Sequence, residues 1–401
     1  MIRYTPKQRE LLRLWKKNQL KRINLLEGSV SSGKTWVSLV LWAFWVAEMP
    51  KDKLYLMCAK SLTTLKRNCL ILLQELVGER NFLFSISAKE GYLFGRRVLF
   101  EGANDARSES KIRGMTLQGA YCDELTQFPQ DFFTMLLSRL RVPGAKLIAT
   151  TNPDSPNHWL MTDYIKRADE LDFLDVKFTV DDNTELPADY VDNIKKEYVG
   201  IFYDRFILGL WVMAQGRIYP MYDNTVETVD RPYEKYIVSM DYGTQNPTAM
   251  LLWGLCKGVW YAVREYYHSG RETNRQMTTG QYHDELDRLV GGLPVSKLII
   301  DPSATPFIAE VNQRKRYKVW RANNDVMDGI QHTAQVLAEK KILFNDCCTR
   351  TIEEFALYRW DEKSAVDQPI KESDHAMDAC RYFVNTTGIW RRKTEYTSLF
   401  M

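Results

Sequence analysis

The residues best suited to chemistry begin in a glycine-rich loop near the start of the chain. Residues 28–35 read GSVSSGKT, which matches the phosphate-binding pattern G-x-x-x-x-G-K-[ST]. In such a loop the backbone N–H groups surround phosphate oxygens, the lysine reaches the β- and γ-phosphates, and the threonine can ligate Mg²⁺. A Gly/Ser turn before a core helix is the alternative. The pattern predicts ATP with Mg²⁺ as substrate, bound by Gly28, Ser29, Ser32, Gly33, Lys34 and Thr35.

Two acids follow an apolar segment later in the same region. Residues 119–122 predict a strand, and Asp123 and Glu124 come directly after it. A carboxylate at a strand end suits the Mg²⁺-associated acid of a P-loop ATPase, and this role is predicted for Asp123. Glu124 is then the predicted general base that polarises the attacking water. The alternative is the acidic first turn of a helix that begins at Asp123.

Weaker candidates surround these acids. The predicted strand Lys146–Thr151 ends in Asn152, whose amide could sense the γ-phosphate, although a strand-to-turn transition explains it almost as well. Gln8 could contact adenine or could be an exposed residue at the start of a helix. Three arginines are candidates for a cationic group on the γ-phosphate, and the sequence does not choose among them: Arg113, Arg139 and Arg141.

Three aspartates in the second half of the chain could form a metal site. Asp241 and Asp301 each end an apolar strand, and Asp378 lies in the last predicted helix, beside Asp374 and His375. Carboxylate oxygens suit hard cations, and two metal ions about 3.5–4 Å apart would stabilise both reacting oxygens of a phosphodiester. We therefore predict two Mg²⁺ or Mn²⁺ ions on catalytic Asp241, Asp301 and Asp378. Each aspartate alone could instead be a turn residue or a helix cap.

The elements that position these residues indicate an α/β protein. Short apolar strands separated by helices predict a mostly parallel sheet in an ATPase domain over residues 1–175. The acidic segment that follows predicts a connecting subdomain or linker over residues 176–232. A second block of strands and helices predicts a further α/β domain over residues 233–390, and residues 391–401 are expected to form a tail.

Composition supports a globular enzyme. The chain has 401 residues, of which 45% are hydrophobic and 26% charged, which excludes a disordered chain, a collagen-like fibre and a disulfide-stabilised miniprotein. The net charge of +3 neither indicates nor excludes nucleic acid. The longest apolar run, residues 36–47, is too short to cross a bilayer, so no membrane association is predicted. The seven cysteines lack metal-binding spacing and are expected to be free thiols in a reducing cytoplasm.

Together the motifs resemble those of the large terminase subunit of tailed bacteriophages. The resemblance rests, in family order, on residues 28–35, 121–125, 149–153, 238–243, 299–303 and 374–380. It implies an ASCE-type (RecA-like) P-loop ATPase domain that translocates double-stranded DNA into a procapsid. It also implies an RNase H-like nuclease domain that cuts concatemeric DNA.

The resemblance further implies partners and a location. The expected partners are double-stranded DNA, the portal protein of the procapsid, the small terminase subunit and further copies of the chain in a ring, all in the host cell cytoplasm. The loop departs from the common family version, because Val30, Ser31 and Ser32 stand where an arginine is usual. The alternative is a DNA helicase or repair ATPase fused to a nuclease, although the helicase motifs it predicts are not found between Asp123 and Asp241. A non-catalytic nucleotide switch is a third possibility.

Overall fold

The computed structural model describes residues 3–243, 246–273, 276–364 and 366–391. The chain divides into two compact units, the first formed by residues 1–196 and 201–213 and the second by residues 197–200 and 214–401. Each unit has a β-sheet of its own and a hydrophobic core packed against that sheet. Within the described part of the chain, no helix combines the length and the hydrophobicity needed to cross a bilayer.

The first sheet has eight strands in the order β3-β4-β5-β2-β6-β7-β1-β8. Its strands are β1 Ile23–Gly28, β2 Leu54–Ala59, β3 Phe82–Ser85, β4 Glu90–Leu93, β5 Arg96–Gly102, β6 Leu117–Cys122, β7 Lys146–Thr151 and β8 Phe173–Phe178. The strands from β5 to β8 in this order are parallel, whereas β3 and β4 pair antiparallel at one edge. Because β7 lies between β1 and β6, the loops after these three strands meet at one edge of the sheet.

Helices cover both faces of this sheet, and the two cores of the unit lie between helices and strands. The helices are α1 Pro6–Lys16, α2 Lys34–Glu48, α3 Leu62–Leu65, α4 Ile71–Val77, α5 Gln130–Arg139, α6 Ala188–Glu197 and α7 Ile201–Phe206. Every residue of β1 and β6 is buried, as expected for parallel strands covered on both faces.

The second sheet has seven strands in the order β14-β13-β10-β11-β12-β15-β9. Its strands are β9 Thr225–Val226, β10 Lys235–Asp241, β11 Thr248–Cys256, β12 Val259–His268, β13 Val295–Ile300, β14 Val319–Arg321 and β15 Ile342–Asn345. The central strands β10, β11 and β12 pair antiparallel, and the outer strands pair parallel with their neighbours. The helices of this unit are α8 Gly270–Thr273, α9 Thr279–Val290, α10 Thr305–Arg314, α11 Val326–Ala338, α12 Thr349–Leu357 and α13 His375–Thr387.

The structure confirms the predicted α/β class, with a mostly parallel first sheet. The acidic stretch at residues 169–185 contains β8, which pairs with β1 along its whole length. The predicted boundary after residue 175 falls inside this strand. The domain boundaries at residues 175 and 232 stay predictions, and residues 392–401 of the expected tail lie outside the described residues.

Candidate nucleotide and carboxylate sites

The phosphate-binding loop joins the end of β1 to the start of α2. Gly28 has a φ of +131°, and a Cβ atom there would lie 1.8 Å from the carbonyl oxygen of Phe178 on β8. Gly33, immediately before α2, has a φ of +82°. Residues with a side chain rarely adopt such φ values, so both positions require glycine. The turn directs the loop into the amino end of α2, where helix N–H groups and the helix dipole favour an anion.

Lys34 is buried within this loop. Its Nζ atom donates hydrogen bonds to the carbonyl oxygens of Gly28 at 3.2 Å and Ser29 at 2.6 Å, and to Oδ1 of Asn152 at 2.9 Å. Burial lowers the pKa of Lys34 to about 8, although the negative charges of Glu124 and Asp123 oppose that shift. The ammonium group is thus held where the sequence predicts bound phosphate.

The other predicted loop contacts surround Lys34. Thr35 and Ser32 line the same cavity as Lys34, and the Ser32 hydroxyl donates to the Ser29 carbonyl at 2.9 Å. The Ser29 hydroxyl oxygen is buried and has no hydrogen-bond partner among the described residues. The Ser29 hydroxyl thus has unused hydrogen-bonding capacity inside the loop.

Asp123 and Glu124 follow β6 and are held by the neighbouring strand β7. Oδ1 of Asp123 accepts a hydrogen bond from the Thr150 hydroxyl at 2.9 Å, and Oδ2 accepts one from the Asn68 amide at 3.2 Å. Glu124 has a φ of +58° and donates its backbone N–H to Oγ1 of Thr150 at 3.3 Å. Left-handed backbone outside glycine is uncommon and concentrates at functional sites. It directs the Glu124 carboxylate towards the phosphate-binding loop.

Asn152 connects the lysine to the candidate base. Its Nδ2 atom donates to both carboxylate oxygens of Glu124, at 3.3 and 3.1 Å, while its Oδ1 atom accepts from Lys34. Burial, and then the nearby charge of Asp123, raise the pKa of Glu124 to about 7, and the charge of Lys34 opposes the rise. One side-chain amide therefore contacts the two groups expected to hold phosphate and activate water.

Residues from beyond the predicted ATPase domain complete this cavity. Asn183 and Leu186 line it, and Nδ2 of Asn183 donates to the Ser31 carbonyl oxygen at 2.7 Å. The Tyr190 hydroxyl forms a 2.8 Å hydrogen bond with the Ser31 hydroxyl. Nothing in the sequence marks these residues, because they lie far along the chain from the loop and belong to no motif.

The end of α7 and the segment that follows it contact the loop and the strand before it. The backbone N–H of Val30 donates to the carbonyl oxygen of Phe206 at 2.8 Å. The indole N–H of Trp211 donates to Oε2 of Glu27 at 2.5 Å, just before the loop. Glu27 is fully buried and also pairs with Lys177 on β8 at 3.4 Å. These contacts fix the base of the loop, and no sequence motif marks Phe206, Trp211 or Lys177.

Gln8 is not the exposed residue at a helix start that was one of its two interpretations. It is buried, and its Oε1 atom accepts the Thr5 backbone N–H at 3.0 Å in a capping box at the start of α1. Its Nε2 atom lies beside the loop, 2.9 Å from where a Cβ atom on Gly33 would stand. The amide group of Gln8 thus both caps a helix and borders the loop.

The three candidate arginines lie near the amino ends of β6 and β7. Arg113 forms an ion pair with Glu109, Arg139 donates to the carbonyl oxygen of Arg113, and Arg141 donates to Oγ1 of Thr116 at 3.2 Å. Glu124 follows the opposite end of β6, and a strand of this length spans about 20 Å at roughly 3.3 Å per residue. The arginines therefore lie at the edge of the sheet opposite to the edge that carries the phosphate-binding loop of their own chain.

In the second unit, Asp241 and Asp378 line one polar cavity. Asp241 is the last residue of β10, and its Oδ2 atom lies 2.8 Å from Nδ1 of His375 at the start of α13. Asp378, in the first turn of α13, accepts a hydrogen bond from Nη2 of Arg381 at 2.7 Å. Burial, and secondarily the charge of Asp378, raise the pKa of Asp241, whereas the hydrogen bond with His375 lowers it.

Asp301 follows β13 and has different partners. Its Oδ1 atom accepts the Ser303 backbone N–H at 2.7 Å, and its Oδ2 atom accepts from the Asn324 amide at 3.0 Å and the Tyr382 hydroxyl at 3.1 Å. Burial, and then the charges of all three aspartates, raise the pKa of Tyr382, whereas the charge of Arg381 opposes the rise. The Tyr382 hydroxyl on α13 thus lies within electrostatic reach of the three predicted ligands.

The three aspartates do not form a ready metal-ligand set. Across the described residues, no three His, Cys, Asp or Glu side chains stand together in an arrangement that could hold a metal ion. The carboxylate oxygens of Asp241 and Asp378 suit a hard cation. However, Oδ1 of Asp378 already accepts a hydrogen bond from Arg381. Asp301 does not line the cavity that those two share. The predicted three-aspartate site therefore stays a prediction.

Glu354 holds the helix that carries His375 and Asp378. This buried residue of α12 accepts the backbone N–H groups of Ala376 at 2.7 Å and Met377 at 3.2 Å through Oε2, and the Tyr267 hydroxyl at 2.8 Å through Oε1. A carboxylate is favourable at the amino end of a helix. Asp374, the residue immediately before α13, makes no side-chain capping hydrogen bond. No sequence pattern marks an isolated glutamate as the residue that accepts the N–H groups at the start of a distant helix.

Comparison with known proteins identifies the family of this chain. Residues 25–225, half of the chain, match the family described as "Terminase large subunit, T4likevirus-type, N-terminal". The chain belongs to the terminase large subunit family.

Solved structures of a related terminase share the fold. The large terminase of a thermophilic bacteriophage is 39% identical, with a TM-score of 0.90 over 96% of this chain and 99% of that one. The structure of the same phage protein in complex with ATP-γ-S has 38% identity and a TM-score of 0.87 over the same shares. A curated relative, the terminase large subunit of Escherichia phage T5, is 20% identical over 309 residues, which cover 71% of this chain and 68% of that protein.

Proposed function

We propose that this terminase large subunit hydrolyses ATP to drive double-stranded viral DNA into a procapsid and cuts concatemeric DNA with a metal-dependent nuclease. The observation that carries the proposal is the chain of hydrogen bonds from Lys34 through Asn152 to Glu124. It connects a phosphate-binding lysine to a half-buried carboxylate beside a loop with the geometry of a nucleotide site. The ATP-γ-S complex of the thermophilic phage terminase supports nucleotide binding by this family.

In the proposed ATPase site, Lys34 binds the β- and γ-phosphates and Thr35 and Asp123 hold Mg²⁺, which neutralises phosphate charge when bound. Glu124 accepts a proton from the attacking water, and its raised pKa suits a general base near neutral pH. When Lys34 turns to phosphate, Asn152 loses its hydrogen bond with Lys34 but keeps its two hydrogen bonds to Glu124. This exchange makes Asn152 the proposed sensor of the γ-phosphate.

In the proposed nuclease site, Asp241, Asp301 and Asp378 supply oxygen ligands for Mg²⁺ or Mn²⁺. Such ions stabilise the charge that develops on the attacking and leaving oxygens of a phosphodiester. His375 orients the Asp241 carboxylate through its 2.8 Å contact. Arg381 and Tyr382 satisfy Asp378 and Asp301, so metal binding requires these donors to yield part of their hydrogen bonding.

The proposed partners follow from family membership. They are double-stranded DNA, the portal protein of the procapsid and the small terminase subunit, with the large subunits forming a ring on the portal in the host cell cytoplasm. Because Arg113, Arg139 and Arg141 lie across the sheet from the loop of their own chain, any contact of theirs with a γ-phosphate would be made in a neighbouring subunit.

Two assays with the full chain test this function. We expect ATP hydrolysis in Mg²⁺, and cleavage of plasmid DNA in Mn²⁺ or Mg²⁺ that stops when a chelator removes the metal. Cleavage that continues in excess chelator, or no ATP hydrolysis with or without DNA, would overturn the proposal. Strand displacement from a forked duplex would instead support a helicase fused to a nuclease.

A further inference from the structure

Three lysines meet at one end of the second sheet. Lys235 is the first residue of β10, Lys297 lies in β13, and Lys318 immediately precedes β14. The backbone N–H of Leu298 donates to the Lys318 carbonyl oxygen at 2.9 Å, which places Lys297 and Lys318 side by side on adjacent strands. Burial, and then the positive charges of Lys235 and Lys318, lower the pKa of Lys297. We refer to Lys235, Lys297 and Lys318 as the lysine patch.

The charge of this patch is not neutralised within the described parts of the protein. No carboxylate among the described residues lies within salt-bridge distance of any of the three ammonium groups, and the contact of Lys297 is with the ring of Trp320, 3.3 Å from its centroid. Nearby arginines behave differently: Arg314 pairs with Asp284 at 2.6 Å, and Arg316 pairs with Asp287 at 2.9 Å. Like charges on adjacent strands disfavour the folded state, so the patch is suited to an external anion.

The patch lies away from the candidate nuclease residues. Lys235 begins β10 and Asp241 ends it, a separation of about 20 Å at roughly 3.3 Å per residue. In B-form DNA this distance corresponds to about six base pairs at 3.4 Å each. An anion on the patch is thus distinct from a phosphate beside Asp241 or Asp378, but one continuous duplex is long enough to reach both.

We propose that the lysine patch binds the phosphate backbone of double-stranded DNA at least about six base pairs from the position of cleavage. The inference rests on the proposed nuclease function, which supplies a duplex next to this unit. Ammonium groups that lack carboxylate partners recognise phosphate charge without regard to sequence, as a protein that packages any viral DNA segment requires. An acidic protein surface would also complement the patch, but it would have no reason to lie one short duplex segment from the aspartates.

Salt dependence of DNA binding tests the patch. The full chain and its Lys235→Gln/Lys297→Gln/Lys318→Gln variant are titrated in chelator with a fluorescent duplex of about 20 base pairs, between about 50 and 200 mM salt. Each lost phosphate contact lowers the slope of log affinity against log salt by about 0.9, so the triple variant is expected to lose about 2.7. The matched triple arginine variant keeps the charges and should retain the slope of the original protein.

The outcomes separate this inference from the proposed function. If the unaltered protein shows no salt-dependent affinity for duplex DNA, the proposed function itself fails. If it does bind, but the triple glutamine variant keeps the same slope and affinity, the patch does not contact DNA, and an acidic protein surface becomes its better partner. Should the triple variant melt at a lower temperature than the original, Lys318→Gln alone replaces it, with an expected loss of about 0.9 in slope.

Discussion

Glu124 shows how a single residue is prepared for chemistry. Its φ of +58° places it in a backbone conformation that carries a cost outside glycine. Two hydrogen bonds from Asn152 and one from its own backbone to Thr150 hold it there. The local cost is thus offset by contacts that direct the carboxylate to the phosphate-binding loop.

Replacing Glu124 by glutamine tests its role as the base. Glu124→Gln keeps the size of the side chain and its acceptor oxygen for Asn152 but cannot accept a proton from water. We expect ATP affinity to stay within about twofold while turnover falls by about 10²-fold or more. Single-turnover hydrolysis and equilibrium nucleotide binding measure the two effects. Glu79→Gln, at an exposed position after α4, is the control, and near-normal turnover in Glu124→Gln would show that another group activates the water.

The order of the strands in the first sheet explains why motifs that are far apart in the sequence lie at one site. The loops after β1, β6 and β7 meet because these strands are parallel neighbours, so Lys34, Glu124 and Asn152 lie together. The glycine-rich loop motif made Lys34 a candidate in the sequence, and strand-end positions did so for Glu124 and Asn152. By contrast, β8 was missed because Asp175 and Lys177 interrupt its apolar pattern. Asn183 and Tyr190 were missed because only the folded chain brings them to the loop.

In the second sheet, strand and helix positions predicted the candidate aspartates but not their hydrogen-bond partners. Asp241 and Asp301 were predicted at the ends of strands, and Asp378 was predicted in the last helix. Which donors hold each carboxylate could not be foreseen, because Arg381 and Tyr382 come from turns of α13 that carry no motif. The role of Glu354 depends on packing between α12 and α13, which a pattern within one segment does not encode.

A substitution of Glu354 tests whether α12 positions the start of α13. Glu354→Gln removes the negative charge from the amino end of α13, which typically contributes about 0.3–1 kcal/mol, or up to about 2 when partly buried. We expect DNA cleavage to fall severalfold because His375 and Asp378 lose a fixed helix start, while ATP hydrolysis stays unchanged. Plasmid cleavage and ATP turnover on the same preparation check this. Glu285→Gln, in a surface ion pair of α9, serves as the control, and equal cleavage by both variants would remove Glu354 from a positioning role.

For the whole molecule, the two candidate sites lie in different compact units, each with its own sheet and core. A substitution in one site therefore leaves the packing of the other unit intact. The hydrogen bonds of Lys34 go to residues of the first unit, and Asp241 contacts His375 within the second. This arrangement predicts two activities that can be removed one at a time.

The most direct measurement is a paired assay of ATP turnover and plasmid cleavage in Mn²⁺ on Lys34→Ala, Asp241→Ala and the unaltered protein. We expect Lys34→Ala to lose ATP hydrolysis and still nick plasmid, and Asp241→Ala to lose cleavage and still hydrolyse ATP. An Asp241→Ala protein that cuts plasmid at the original rate would contradict the carboxylate site. A Lys34→Ala protein that hydrolyses ATP at the original rate would contradict the nucleotide site.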